Sequence, residues 1–170
     1  MKILRGDLQH FEGPQVFRVT LFDIGINDLG NPGTEVEIQL DVHQHGDDLL
    51  LQGTLQTDLI LTCDRCLGKA SLPIQGAFAV WLVSTLRPDL QTGADDILVL
   101  PPTQQEVDLS GPLMETIYVE LPQKLLCQDD CKGLCPTCGA DLNNQSCGCV
   151  TEEFDERWAG LKAIKQKLRE

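Results

Sequence analysis

Aromatic side chains are scarce in this 170-residue chain, at 5%, with one tyrosine and two tryptophans. Histidine occurs three times, and basic residues number 13 against 26 acidic ones. No glycine-rich phosphate loop, serine nucleophile motif or Cys–His dyad stands out, so catalysis and a small-molecule substrate are not expected. No window approaches the ~18 consecutive apolar residues of a membrane span, which argues against a membrane partner. The start, Met1-Lys2-Ile3-Leu4-Arg5-Gly6-Asp7, lacks the apolar centre of a signal peptide, and a cytoplasmic protein is expected. The net charge of −13 repels a phosphate backbone at long range. Residues 151–170 carry five acids and five bases, so residues 1–150 hold the whole excess. Such a surface suits a basic protein partner, or a nucleic acid held only by a local patch.

Against these shortages stand eight cysteines in close pairs. They are Cys63 and Cys66, Cys127 and Cys131, Cys135 and Cys138, and Cys147 and Cys149. Four thiolates complete one tetrahedral zinc site, so eight point to two structural zinc ions. A closed site leaves no open position for water, and the metal then holds shape without doing chemistry. Eight cysteines would also suit a disulfide-bonded secreted domain, but a reducing cytosol keeps thiols free for metal.

Period-two alternation dominates the first half. Within 34–44, Val36, Ile38, Leu40 and Val42 alternate with Glu35, Glu37, Gln39, Asp41 and His43. After a turn at Gly46-Asp47-Asp48, residues 49–63 and 72–83 alternate again, which predicts two long strands flanking Cys63-Asp64-Arg65-Cys66 at a hairpin tip. Pro73 and Gly76 fit an edge or a bulge better than a central strand. Residues 15–22, 97–100 and 106–109 predict further strands, and 84–96 a connection. Ser110 is a candidate N-cap, with Pro112 in the first turn and Pro122 as the stop. A last helix is expected over 152–169, with Phe154, Trp158, Leu161, Ile164 and Leu168 as its apolar stripe. Acids at its start and bases at its end match the helix dipole. The predicted architecture is α+β: an antiparallel β-sheet, barrel- or sandwich-like, with a long hairpin, a helix, a Cys-rich segment and a C-terminal helix. In units, 1–126 is the β-rich domain ending in a helix, 127–150 the zinc-binding segment packed on the hairpin tip, and 151–170 the amphipathic helix.

Two pairings of the cysteines are open on spacing. Cys135-Pro136-Thr137-Cys138-Gly139 has the form of a zinc knuckle, and Cys147 and Cys149 lie close enough to complete a local site. Cys63, Cys66, Cys127 and Cys131 would then share the other ion, closing a loop of about sixty residues. The rival joins Cys63 and Cys66 to Cys135 and Cys138 as a two-knuckle ribbon. Loop economy favours the first pairing and knuckle symmetry the second.

Three stretches carry a family likeness: 61–67 with Cys63-Asp64-Arg65-Cys66, 108–122 with Glu115-Thr116-Ile117-Tyr118-Val119-Glu120-Leu121-Pro122, and 131–143 with Cys135-Pro136-Thr137-Cys138-Gly139. With the C-terminal helix, they resemble the YceD-like family of large ribosomal RNA subunit accumulation proteins, in a longer variant with an additional Cys-rich segment. The resemblance spans roughly 34–170. It implies a factor for 23S ribosomal RNA accumulation and large (50S) subunit biogenesis, with a basic large-subunit ribosomal protein or 23S precursor RNA as partner. It also implies that Cys63, Cys66, Cys127 and Cys131 form the older site, since shorter members lack the second quartet. A redox- or zinc-responsive chaperone is the alternative. Candidate partner-binding residues are Arg65 at the tip and Lys162, Lys165 and Arg169 on one helical stripe; offsetting metal-site charge and facing solvent are their plainer roles. His43 and His45 fit a surface strand end better than a metal site.

Overall fold

The computed structural model describes residues 1–84 and 97–149. The expected helix over 152–169, with Trp158, Lys162, Lys165 and Arg169, lies outside the described residues, as does most of the 84–96 connection. The described elements are β1 (Lys2–Leu4), α1 (Arg5–Leu8), β2 (Gln15–Thr20), a short 3-10 helix (Phe22–Ile24), β3 (Glu35–His45), β4 (Asp48–Thr62), β5 (Lys69–Val83), β6 (Ile97–Val99), β7 (Glu106–Asp108) and α2 (Ser110–Val119). The protein is α+β, with a five-stranded sheet in the order β2-β3-β4-β5-β6 and a two-stranded sheet of β1 and β7. The larger sheet is open; its strand order does not close into a barrel.

Alternation in the sequence becomes a two-faced sheet because successive side chains of a strand point to opposite faces. Val36, Ile38 and Leu40 of β3, Leu51, Leu55 and Leu59 of β4, and Ile74, Val80 and Leu82 of β5 are buried, while Glu35, Gln39, Gln52, Gln56, Asp58 and Gln75 are exposed. The buried face is covered by Ile3 and Val107 of the small sheet and by Leu113 and Ile117 of α2, which join it in one apolar cluster. Pairing of β4 with β5 runs without interruption from Leu49↔Leu82 to Thr62↔Lys69. That register excludes a bulge at Pro73. Among the described residues β6 pairs only with Trp81–Val83, so Pro73 sits where β5 is an outer strand and its missing N–H is tolerated.

Three details depart from the sequence expectations. First, β6 runs parallel to β5, making the sheet mixed. Parallel neighbours need a crossover of roughly a dozen residues or more, and the chain between Val83 and Ile97 is long enough. Second, α2 begins at Ser110, whose hydroxyl accepts a hydrogen bond from the Met1 ammonium and does not cap the helix. Leu109 occupies the N-cap position without a side-chain cap, and Asp108 orders the approach to the helix, its Oδ1 accepting from the Ser110 amide at 2.9 Å. Third, β1 was not expected, and it pairs antiparallel with β7 from Lys2↔Asp108 to Leu4↔Glu106.

Helix α2 approaches the sheet most closely at Gly76, where an added Cβ would collide with Thr116 Cγ2. At Gly53 the ring of its cross-strand partner Phe78 fills the space a side chain would take. Gly76→Ala is expected to lower stability by about 1–3 kcal/mol through overpacking. Adding Thr116→Ser, which deletes only the colliding methyl and keeps the hydroxyl on the Pro112 carbonyl, restores most of the loss. Urea denaturation of the single and double variants measures both effects.

Candidate metal centres

Strands β4 and β5 carry the Cys63–Cys66 turn away from the core. There the Cys63 amide donates to the Gly68 carbonyl at 2.8 Å, and the Leu67 amide returns to the Cys63 carbonyl at 2.9 Å. Closing so tight a turn puts Leu67 at φ 59°, a left-handed conformation uncommon outside glycine. The Arg65 amide points at Cys63 Sγ, 3.5 Å away. This is a knuckle built to present two sulfurs on one side.

The segment after α2 is pinned to that knuckle by a reciprocal pair of hydrogen bonds. The Asp64 amide donates to the Leu125 carbonyl at 2.9 Å, and the Leu125 amide donates to Asp64 Oδ2 at 2.6 Å. Leu125 and Leu126 pack on the buried Cys63, Ala70 and Cys131. Cys127 and Cys131 are thereby brought to the knuckle: Cys66 Sγ and Cys127 Sγ are 3.6 Å apart, and Cys63 Sγ and Cys131 Sγ 3.9 Å. The second group joins Cys135, Cys138, Cys147 and Cys149, and within each quartet all sulfurs lie within 4.8 Å of one another. The two-knuckle ribbon of Cys63, Cys66, Cys135 and Cys138 is not the arrangement formed.

An ion bound by four sulfurs at ~2.3 Å in a tetrahedron spaces them about 3.8 Å apart. The 3.6 and 3.9 Å separations bracket that value and far exceed a covalent S–S bond of about 2.05 Å. Each quartet could hold a metal ion. The electrostatics lead the same way. The Cys66 amide draws the Cys63 thiol down to about 6, and the Cys138 amide does the same to Cys135, also to about 6. The neighbouring Cys66 sulfur pushes Cys127 up to about 12, and Cys138 pushes Cys149 up to about 12. Backbone amides thus favour a thiolate, the metal-binding form, at Cys63 and Cys135, while neighbouring sulfurs oppose ionisation at Cys127 and Cys149.

The two quartets share a short strip of chain, Cys131-Lys132-Gly133-Leu134-Cys135. Arg65, though exposed, is engaged with it: Nη1 donates to the Cys131 carbonyl, and its own carbonyl accepts from the Leu134 amide at 3.3 Å. Gly133, at φ 77°, lies directly against Arg65; an added Cβ would come 2.7 Å from Arg65 Cγ and 2.9 Å from the Arg65 carbonyl oxygen. His43 instead faces Asp41, with Nε2 3.5 Å from Oδ2, and the His45 ring centroid lies 5.3 Å from that of Trp81. Neither histidine belongs to a potential metal group among the described residues. Asp64, Leu125, Gly133 and Asn143 support the centres without having been candidate site residues; Asp64, Gly133 and Asn143 fall within the motif stretches 61–67 and 131–143, whereas nothing in the sequence marks Leu125.

Gly133 and Gly139 both have left-handed backbone, but only Gly133 is crowded. Gly139→Ala therefore costs about 1–2 kcal/mol from conformation alone. Gly133→Ala costs more, by about 1–3 kcal/mol of overpacking. Denaturant midpoints of the two variants check the order.

Comparison with known proteins follows this geometry. The family model described as "Large ribosomal RNA subunit accumulation protein YceD" matches residues 51–165, a span containing most of β4, all of β5 and all eight cysteines. A chloroplastic large ribosomal RNA subunit accumulation protein YCED homolog 1 of Arabidopsis thaliana is 27% identical over 163 residues, 81% of this chain and 51% of that protein. Its Zea mays counterpart is 32% identical over 161 residues, 79% of this chain and 54% of that protein. An uncharacterized protein of Mycobacterium bovis is 31% identical over 132 residues, 76% of this chain and 61% of that protein. The chain thus spans between 51% and 61% of the length of these relatives. No solved structure matches it. Matched by the family model over more than half its length, the chain belongs to the YceD family of large ribosomal RNA subunit accumulation proteins.

Proposed function

We propose that this protein is a non-catalytic, zinc-stapled factor of large-subunit biogenesis. It holds a basic large-subunit ribosomal protein on its acidic sheet face in the cytoplasm, and by delivering that protein it sustains 23S ribosomal RNA. The family description supplies the link to ribosomal RNA. The observation that carries the mechanism is the polar face of the large sheet. Glu35, Glu37 and Asp58, with Gln56 and Gln75, line a groove of about 490 Å³ there, and Asp41 extends the acidic surface beside a second groove of about 510 Å³. The face already accommodates a guanidinium: Arg18 Nη2 and Nε donate to Glu37 Oε2 at 2.9 and 3.1 Å. An arginine-rich partner would meet the same carboxylates.

Zinc is the metal proposed for both quartets, because an all-thiolate tetrahedral set suits that soft-to-borderline ion. Bound there it would supply cohesion, with Cys63, Cys66, Cys127 and Cys131 holding one ion and Cys135, Cys138, Cys147 and Cys149 the other. A second mode has Arg65, Lys162, Lys165 and Arg169 touching 23S precursor RNA directly. Net charge favours the protein partner, and the Arg65 guanidinium is engaged with the Cys131 carbonyl.

Elemental analysis of reduced protein is expected to find two zinc ions per chain. Cys63→Ser and Cys138→Ser each keep one at saturating zinc; a metal-empty but folded wild type would sink the zinc assignment. In binding assays at ~150 mM salt, where non-specific phosphate contacts weaken sharply, a basic large-subunit protein is expected to bind and a 23S fragment is not. Glu35→Lys with Asp58→Lys weakens the protein complex at least tenfold, about 1.4 kcal/mol. Binding of RNA alone would reverse the mechanism.

A further inference from the structure

We propose that Asn143 couples the two cysteine quartets, so that filling one with metal raises the affinity of the other. The residue lies in the loop between Cys138 and Cys147, and so belongs by chain to the second quartet. Its side chain, however, reaches the first: Nδ2 donates toward Cys131 Sγ at 3.5 Å. The orientation of the amide is dictated by its other neighbours. Oδ1 accepts from the Lys132 amide at 2.8 Å, which can only donate, and Nδ2 donates to Asp141 Oδ1 at 2.8 Å, which as a carboxylate can only accept. Asp141 Oδ1 also accepts from the Asn143 amide at 2.9 Å, and Asp141 Oδ2 from Asn144 Nδ2 at 2.7 Å. The loop therefore holds Asn143 in one pose, with its N–H aimed at a buried ligand sulfur of the other centre.

The rest of the loop is tied to the same strip. The Leu142 amide donates to the Gly133 carbonyl at 2.9 Å, and Leu134 forms a bridge with Asp141. An ion on Cys135, Cys138, Cys147 and Cys149 closes the loop covalently at both ends and removes the freedom that would let Asn143 swing away. Hydrogen bonds to a ligand atom stabilise its charged form, and losing such a partner commonly lowers metal affinity about 10–100-fold. Linkage is reciprocal, so the second quartet gains from the first by the same factor. Asn143 is a positioning residue here, acting through Cys131 and not binding metal itself.

This inference rests on the zinc reading above, and its test separates the two. Zinc affinity is measured by competition with a chromophoric chelator, and species with none, one or two ions are counted by native mass spectrometry. Cys138→Ser is expected to weaken the first quartet about tenfold, and Asn143→Leu by a similar factor. The two changes together weaken it no more than either alone, because they remove the same contact. Cys63→Ser, which leaves Asn143 and its loop unaltered, weakens the second quartet by the same factor as Cys138→Ser weakens the first. First-quartet affinity unchanged within twofold in Asn143→Leu, losses that multiply, or unequal reciprocal effects would overturn the coupling. A wild type that takes up no zinc would remove the zinc reading itself, and this proposal with it.

Discussion

Sulfur crowded against sulfur is the constraint on which the rest of this structure depends. Eight thiols in two groups, each within 4.8 Å, oppose one another's ionisation, which holds Cys127 and Cys149 up at about 12. Burial sharpens the conflict, with Cys63, Cys131 and Cys135 nearly inaccessible to water. A divalent ion in each group would resolve it, and its binding would then form part of the folding free energy. For the first quartet the effect is long-range, because Cys66 and Cys127 are 61 positions apart and closing such a loop carries a substantial entropy cost.

The sheet exists in a form that makes this meeting possible. Strands of 15 residues each lead from the apolar cluster, which reaches Leu61 and Leu72, directly into the Cys63–Cys66 knuckle at their joined ends. Helix α2, seated at Gly76 by a contact that admits no side chain, sets where the chain emerges toward Leu125. Asp64 and Leu125 then lock the two parts through paired hydrogen bonds. Sheet register, glycine packing and helix placement all converge on one distance, that between Cys63 and Cys131.

Much of this was legible in the sequence, for identifiable reasons. Alternation runs through most of β3, β4 and β5, so both the strands and their buried face could be read directly. The close spacing of the cysteines made metal quartets the natural inference, although spacing alone left their pairing open. Short elements were harder. Residues Lys2–Leu4 are too few to display a period, and their strand exists because β7 offers a partner more than a hundred residues away. The direction of β6 depends on a crossover, about which three residues carry no information. Ser110 falls one position inside the helix, with Leu109 at the N-cap and Asp108 holding the Ser110 amide, an offset that a lone serine before an apolar run does not reveal. Asn143 acquires its significance only when the fold brings Cys131 within reach.

The large sheet is a single layer whose buried face answers to packing and whose opposite face, at Glu35, Gln39, Gln56, Asp58 and Gln75, answers to water. Those outward positions are thermodynamically inexpensive to change, since surface substitutions away from special contacts usually shift stability by about 0.5 kcal/mol or less. Surface chemistry and foldability are thus written on alternate letters of the same strands. Exchanging outward letters would therefore redraw the charge of that face while leaving the buried cluster and the thiols as they are.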